Sequence, residues 1–323
     1  MAQQDTGRAT PGVQGERWFP DETPFAAELA DLWGDWYCDS ECGTLRSVLL
    51  HRPGHEVEGI GPENFAEYRF RAPFDAEAAR AEQDALADLY RANGVEVHYV
   101  QGQRCDRPNA MYLRDLVLMT PEGAIVCRPA IPARRGEERA VAATLAQLGV
   151  PILKTVNADG YFEGACAMWL DRDTVVLGHG SRSNDAGCAQ VERELRGIGV
   201  STIIHTQIPY GSIHLDGFLN VVDRDTVIAF PWHLAYDCAK AMTDRGFRIL
   251  EATDIDEVKG GMALNGVALA PGKVVMPAGN PNTRELLESA GVEVRELPMD
   301  HVMAGWGSIH CQTAFLRRDP ITR

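Results

Sequence analysis

Five times along this chain of 323 residues, an amphipathic helical run ends at a glycine and passes into a short apolar strand. The segments are AEQDALADLYRANGVEVHYV, ERAVAATLAQLGVPILKT, VERELRGIGVSTIIHT, CAKAMTDRGFRILEAT and RELLESAGVEVRELP. Their glycines (Gly94, Gly149, Gly199, Gly246, Gly291) stand where a helix C-terminus calls for a left-handed residue. Between successive units lie two apolar runs split by turn residues: LVLMTPEGAIVCRP, AMWLDRDTVVLGHG, FLNVVDRDTVIAFP and GVALAPGKVVMP. A fifth hairpin has only TAFLRR at the C-terminal end, and its missing strand is available in LRSVLLHRP, residues 45–53. Pairing the first strand with the last closes a ring and removes the open edges. The sequence therefore predicts a single α/β domain, a five-bladed ββαβ propeller with pseudo-fivefold symmetry. An open α/β sheet also alternates strands and helices, but near-equal spacing and split ends favour the ring. Residues 1–16 are polar, without an apolar core, and read as a disordered tail ahead of a catalytic domain at 17–323.

Equivalent positions in a ring of repeats converge on its axis. Just upstream of each hairpin's first strand stand Asp115 in MYLRDLVLM, Glu163 in YFEGACAMW, and His214 with Asp216 in SIHLDGFLN. Asn265 in MALNGVAL and Cys311 in SIHCQTAF complete the set. A cysteine, a histidine and carboxylates in one pocket are what thiol chemistry requires. The thiolate attacks, the histidine moves protons and a carboxylate orients the histidine. Cys311 is thus expected to be the nucleophile rather than one more buried thiol among eight cysteines. His214 outranks His310, which on a strand would point away from its neighbour Cys311. Asp216, two residues after His214, would share its strand face. Two carboxylates beside a cysteine suit a planar cation that accepts bidentate pairing, and a guanidinium has that geometry. As lone residues these aspartates would be turn or capping groups; their repeat positions argue for more.

A formal net charge of −15 sets nucleic acid and anionic membranes aside as partners and favours a cationic ligand. No apolar run approaches a membrane span, and no export signal is read, so the cytoplasm, with reduced thiols, is expected. Cys38 and Cys42 form a lone CxxxC, too little for a metal site. Cys127 in AIVCRP reads as a strand-core thiol. The oligomeric state stays open, a homodimer included.

The motifs resemble those of the guanidino-group-modifying superfamily, which holds arginine deiminases, dimethylarginine dimethylaminohydrolases and amidinotransferases. ECGTLRSVLLHRPG is similar to its opening strand, and NAMYLRD to its segment ending in Arg-Asp. FEG resembles the start of its EGGD motif, while HLD and HCQT resemble its histidine and cysteine motifs. The resemblance covers almost the whole chain and implies a five-bladed ββαβ propeller. By it, Cys311 would be the nucleophile, His214 the acid/base and Glu163 its acidic partner. Asp115 and Asp216 would grip the guanidinium, with Asn265 counted beside them. Asn109, Arg182 and Arg134 or Arg135 would bind the far end of the substrate. Cys166 departs from the pattern, standing where EGGD has its aspartate. The long helical insertion of arginine deiminases and the extended segments of glycine amidinotransferase are missing.

The chemistry so implied needs no cofactor or metal. Cys311 attacks the guanidinium carbon, His214 protonates the departing amine, and an amidino-thioether forms. Water then gives a ureido product, or an acceptor amine takes the amidino group; loops and lids decide between them. Hydrolysis of arginine or a close relative leads, with amidino transfer as the alternative. A non-catalytic propeller that serves as a binding module is the reading from another class, and an intact Cys/His/Glu set weighs against it.

Overall fold

The computed structural model describes residues 20–321, so the tail expected at 1–16 lies outside the described residues. Five three-stranded sheets carry the fold. The first unites β1 (Leu45–Leu50), β2 (Glu96–Tyr99) and the last strand, β15 (Ala314–Arg318). The second holds β3 (Val117–Thr120), β4 (Gly123–Val126) and β5 (Ile152–Thr155). The third holds β6 (Ala167–Asp171), β7 (Thr174–His179) and β8 (Thr202–Gln207). The fourth holds β9 (Leu219–Asp223), β10 (Thr226–Ala229) and β11 (Arg248–Glu251). The fifth holds β12 (Val267–Ala270), β13 (Lys273–Pro277) and β14 (Glu293–Leu297).

In every sheet the middle strand pairs antiparallel on one side and parallel on the other. A tight turn suffices for the antiparallel partner, whereas the parallel one needs a crossover. The crossovers are helices Ala76–Ala92, Glu137–Leu148, Asp185–Gly197, Tyr236–Asp244 and Pro281–Ser289. The five repeat glycines all adopt left-handed φ, from 77° at Gly94 to 94° at Gly199. The split fifth unit closes as the sequence predicts, with Val48 opposite Phe315 and Leu49 opposite Ala314.

Burial falls from one side of each sheet to the other. β3, β4 and β10 are buried throughout, whereas β5 and β2 have no buried residue. Apolar side chains of the inner strands merge into one core with the helices. Just before the first strands the backbone makes short turns that change the expected local geometry. Leu113–Asp115, Gly164–Cys166 and Leu215–Gly217 are 3₁₀ turns, and Ile309–Gln312 is one turn of α-helix. His214 and Asp216 therefore do not share a strand face: His214 is extended, and the Phe218 N–H closes the next turn on the Leu215 carbonyl. His310 likewise is not on a strand. In place of strand alternation, these turns direct the polar side chains of four segments to the same end of the sheets.

Candidate active site

The cysteine arm is held by close packing and by one amide. A Cβ on Gly305 would come within 2.1 Å of Tyr112 Oη, and one on Gly307 within 2.3 Å of the Tyr112 ring. Glycine lets the arm approach Tyr112, whose hydroxyl donates to the Val302 carbonyl at 2.8 Å. Asn265 then clamps the helical turn. Its Oδ1 accepts from the N–H groups of Ser308 (3.1 Å) and Cys311 (3.2 Å), and its Nδ2 faces Cys311 Sγ at 3.1 Å and Asp216 Oδ2 at 3.2 Å. Asn265, expected at the substrate, lines the cavity and also holds the turn that carries Cys311.

His214 is buried, with Nε2 2.7 Å from Glu163 Oε2 and Nδ1 3.5 Å from Asp115 Oδ1. Burial alone would lower its pKa; Asp115, Glu163 and Asp216 outweigh that and raise it. Glu163 is fully buried behind the histidine and also accepts from the Ala130 N–H (3.0 Å) and from Arg182 Nη1 (3.2 Å). Burial would raise Glu163, but the hydrogen bond and charge of His214, aided by Arg134 and Arg182, pull it down to about 2.

Each of the two aspartates has a buried cation behind it. Asp115 pairs with Arg134, which also meets Glu137 Oε2 at 2.8 Å. Asp216 Oδ2 is 2.8 Å from His310 Nδ1, and His310 Nε2 is 3.4 Å from Glu41, itself paired with Arg114 at 2.8 Å. The Asp115 Oδ1 atom is buried and has no hydrogen-bond partner. Cys311 Sγ lies 3.5 Å from Asp216 Oδ2. Burial, then the charges of Asp216 and Asp115, push its pKa well above that of an ordinary thiol.

These groups meet at a cavity of about 780 Å³, whose lining includes Asn109, Asp115, Arg134, Arg182, His214, Asp216, Asn265 and Cys311. Glu163 stands behind that surface. Arg135 does not line it: its guanidinium donates to the carbonyls of Pro129 and Ala130. Arg134 faces the cavity with both carboxylate partners in place, so its charge is already matched. Cys166 Sγ sits 4.0 Å from the Ile213 carbonyl, under the loop that delivers His214. Asp115, Glu163 and His214 could offer three ligand atoms within 4.8 Å of one another to a metal. Both imidazole nitrogens face carboxylates, however, and a protonated imidazole is no ligand. Sequence reasoning ranked His310 below His214 and did not single out Glu41 or Arg114. Glu41 was visible as an acid next to the strand that completes the fifth repeat; His310 needed the helical turn to be known.

The sequence model of the eukaryotic N,N-dimethylarginine dimethylhydrolase family matches residues 70–318. An arginine deiminase of Borrelia duttonii (strain Ly) is 24% identical over 400 aligned positions, covering 87% of this chain and 98% of the relative. A dimethylarginine dimethylaminohydrolase of Pseudomonas aeruginosa, solved with citrulline, superimposes with a TM-score of 0.70 at 21% identity, covering 84% of this chain and all of that one. The amidinotransferase SxtG of Microseira wollei, from saxitoxin biosynthesis, gives 0.72 at 16% identity, over 89% of this chain and 98% of its own. At these identities the two structures speak for the fold.

Proposed function

This chain belongs to the N,N-dimethylarginine dimethylhydrolase family, within the guanidino-modifying superfamily of C–N hydrolases and amidinotransferases, and we propose that it hydrolyses a guanidino substrate through a covalent intermediate on Cys311. The five sheets would be the blades of a pseudo-fivefold propeller with the cavity at one end of its axis. The observation that carries the reading is Asp115 Oδ1, a buried acceptor that makes no hydrogen bond and has only the 3.5 Å ion pair with His214 Nδ1, in the same cavity as Asp216 and Cys311. A buried carboxylate oxygen so weakly satisfied is costly, and a guanidinium N–H would satisfy it.

Binding a guanidinium between Asp115 and Asp216 also changes the thiol. The two charges that hold the proton on Cys311 are further offset by the bound cation, so the thiol releases its proton to solvent and the thiolate forms when substrate arrives. Sulfur then adds to the guanidinium carbon. As the C–N bond to a terminal nitrogen breaks, His214 gives its proton to that nitrogen, which leaves as ammonia or an amine, and the amidino carbon stays on sulfur with the substrate's chain attached. Neutral His214 next takes a proton from water, which attacks the same carbon. Collapse releases the ureido product and restores the thiol. Glu163 holds the imidazole and stabilises its charged form, and Arg134 and His310 keep the two aspartates oriented.

Amidino transfer is the second reading, favoured by one observation: at about 780 Å³ the cavity is larger than an amidino group alone would fill, which leaves space for an acceptor amine. Incubation with arginine, with and without amines, followed by mass spectrometry for citrulline, ornithine and amidino products distinguishes the two. Ureido product without any amine supports hydrolysis. Products that appear only with an amine support transfer, and no product from any guanidine removes both. Among the described residues no helix is long and apolar enough to cross a membrane.

A further inference from the structure

The crossover helix Asp185–Gly197 and the strand ends beside it share a cluster of side chains that the chemistry above does not use. β7 and β8 run parallel, with Leu177 opposite His205 and His179 opposite Gln207. His179 and His205 therefore project from the same face of the sheet. Asp185 and Glu192 lie two helical turns apart, so their carboxylates fall on one side of the helix. The four groups form a chain. Asp185 Oδ1 is 3.1 Å from His179 Nδ1, and His179 Nε2 is 2.9 Å from His205 Nδ1. His205 Nε2 is in turn 3.3 Å from Glu192 Oε2. None of the four lines the catalytic cavity.

Each imidazole thus turns one nitrogen to a carboxylate and the other to its neighbour. A carboxylate only accepts, so it selects the tautomer whose N–H faces it. With both outer nitrogens donating, the two inner nitrogens confront each other with lone pairs, and a cation between them removes the repulsion. A carboxylate behind a ligating histidine is also what fixes tautomer and ring orientation at metal sites and strengthens the nitrogen as a donor. His214 differs, because both of its nitrogens face carboxylates. The spacing agrees with an ion. A tetrahedral cation bonded to two imidazole nitrogens at about 2.1 Å holds the ring centres about 5 Å apart. Here they are 5.1 Å apart, with the rings inclined by 52°. Turning the rings in place converges their lone pairs. The His205 side chain is 44% exposed, so an ion reaches the pair from solvent and keeps water in its remaining positions.

We propose that His179 and His205 form a site for a divalent transition cation of the zinc class, with Asp185 and Glu192 orienting the two rings. Imidazole donors suit such ions, whereas magnesium and calcium favour oxygen. The ion braces the ends of β7 and β8, from which the chain enters the cavity. There the Ile208 N–H donates to the His179 carbonyl at 2.8 Å, and Arg182, three residues beyond His179, pairs with Glu163. The site stands independently of the guanidine reading.

Diffraction from crystals soaked in zinc chloride, recorded on both sides of the zinc absorption edge, locates the ion. An anomalous peak about 2.1 Å from both inner nitrogens is expected. Calorimetric titration with zinc chloride measures the strength of the site. Cys311 and exposed Cys105 are competing thiols, so the parent protein for the titrations carries Cys105→Ser and Cys311→Ala. His205→Gln should weaken zinc by more than about 100-fold. Glu192→Gln, which keeps the size of the side chain, should weaken it by about 10- to 100-fold, the range for carboxylates behind ligating histidines. An excess of magnesium should leave the titration unchanged. An anomalous peak elsewhere with none at the pair, or His205→Gln titrating like its parent, overturns the site. Binding that Glu192→Gln does not weaken would show adventitious capture by surface imidazoles only, and overturns it too.

Discussion

Glu163, with no solvent exposure, gathers three donors on two oxygens: His214, Arg182 and the Ala130 N–H. Its charge is among those that keep His214 protonated, so its removal has a signed consequence. Glu163→Gln should lower the His214 pKa and move the alkaline limb of the pH–rate profile to lower pH. The turnover number should fall by about 10² or more, the scale of general acid–base catalysis. An unmoved limb would mean that His214 is not the acid. At this scale the sequence named Cys311, His214, Glu163, Asp115 and Asp216, because each stands at the same place in a repeat. It placed Arg135 at the cavity, but that side chain turns to the Pro129 and Ala130 carbonyls, which no spacing rule reveals. It passed over His310 because the sequence does not show that Ile309–Gln312 winds into a helical turn.

The cysteine arm is the element on which site geometry most depends. Its two glycines are needed for contact rather than for unusual φ, since neither Gly305 nor Gly307 is left-handed. Gly307→Ala would drive a methyl into the Tyr112 ring, and Gly305→Ala would meet its hydroxyl. Each substitution should cost about 1–3 kcal/mol of unfolding free energy, the usual penalty for overpacking. Activity should fall further than stability, because Tyr112 also lines the cavity. Denaturant melts and kinetics on the same variants check both; full activity at full stability would show that the arm tolerates displacement. Hairpins and crossover helices were legible from apolar runs and turn glycines. The short turns before the first strands were not. Three residues of 3₁₀ helix have no periodicity of their own, and only packing against the neighbouring sheet selects them.

Across the whole molecule, strands from the two ends of the described chain make one sheet, and the network beneath Cys311 runs through that seam. Glu41 just ahead of β1, Arg114 and His310 just ahead of β15 are all buried. Burial would raise Glu41, but Arg114 and His310 overcome it and bring it down to about 2. A carboxylate depressed in the folded state contributes stability above its unfolded pKa and loses it as pH falls through its folded pKa. Stability should therefore decline from about pH 4.5 toward 2. Glu41→Gln should flatten that decline by up to about 1.4 kcal/mol per pH unit, the slope for one proton. Unfolding free energies from urea melts across that range measure the slope; equal slopes would remove Glu41 from the acid limb. Ring closure was legible because half of one hairpin stood at each end of the sequence. Arg69, Met262 and Trp306 also line the cavity on left-handed backbone, which no sequence signature announces. The most direct test of covalent catalysis is intact-protein mass spectrometry of enzyme quenched during turnover of arginine, with peptide mapping. The account predicts on Cys311 the mass of arginine less ammonia, absent from folded and inactive Cys311→Ala, whereas a bare amidino mass would point to transfer. Turnover by Cys311→Ala, or an adduct on another residue, would contradict it.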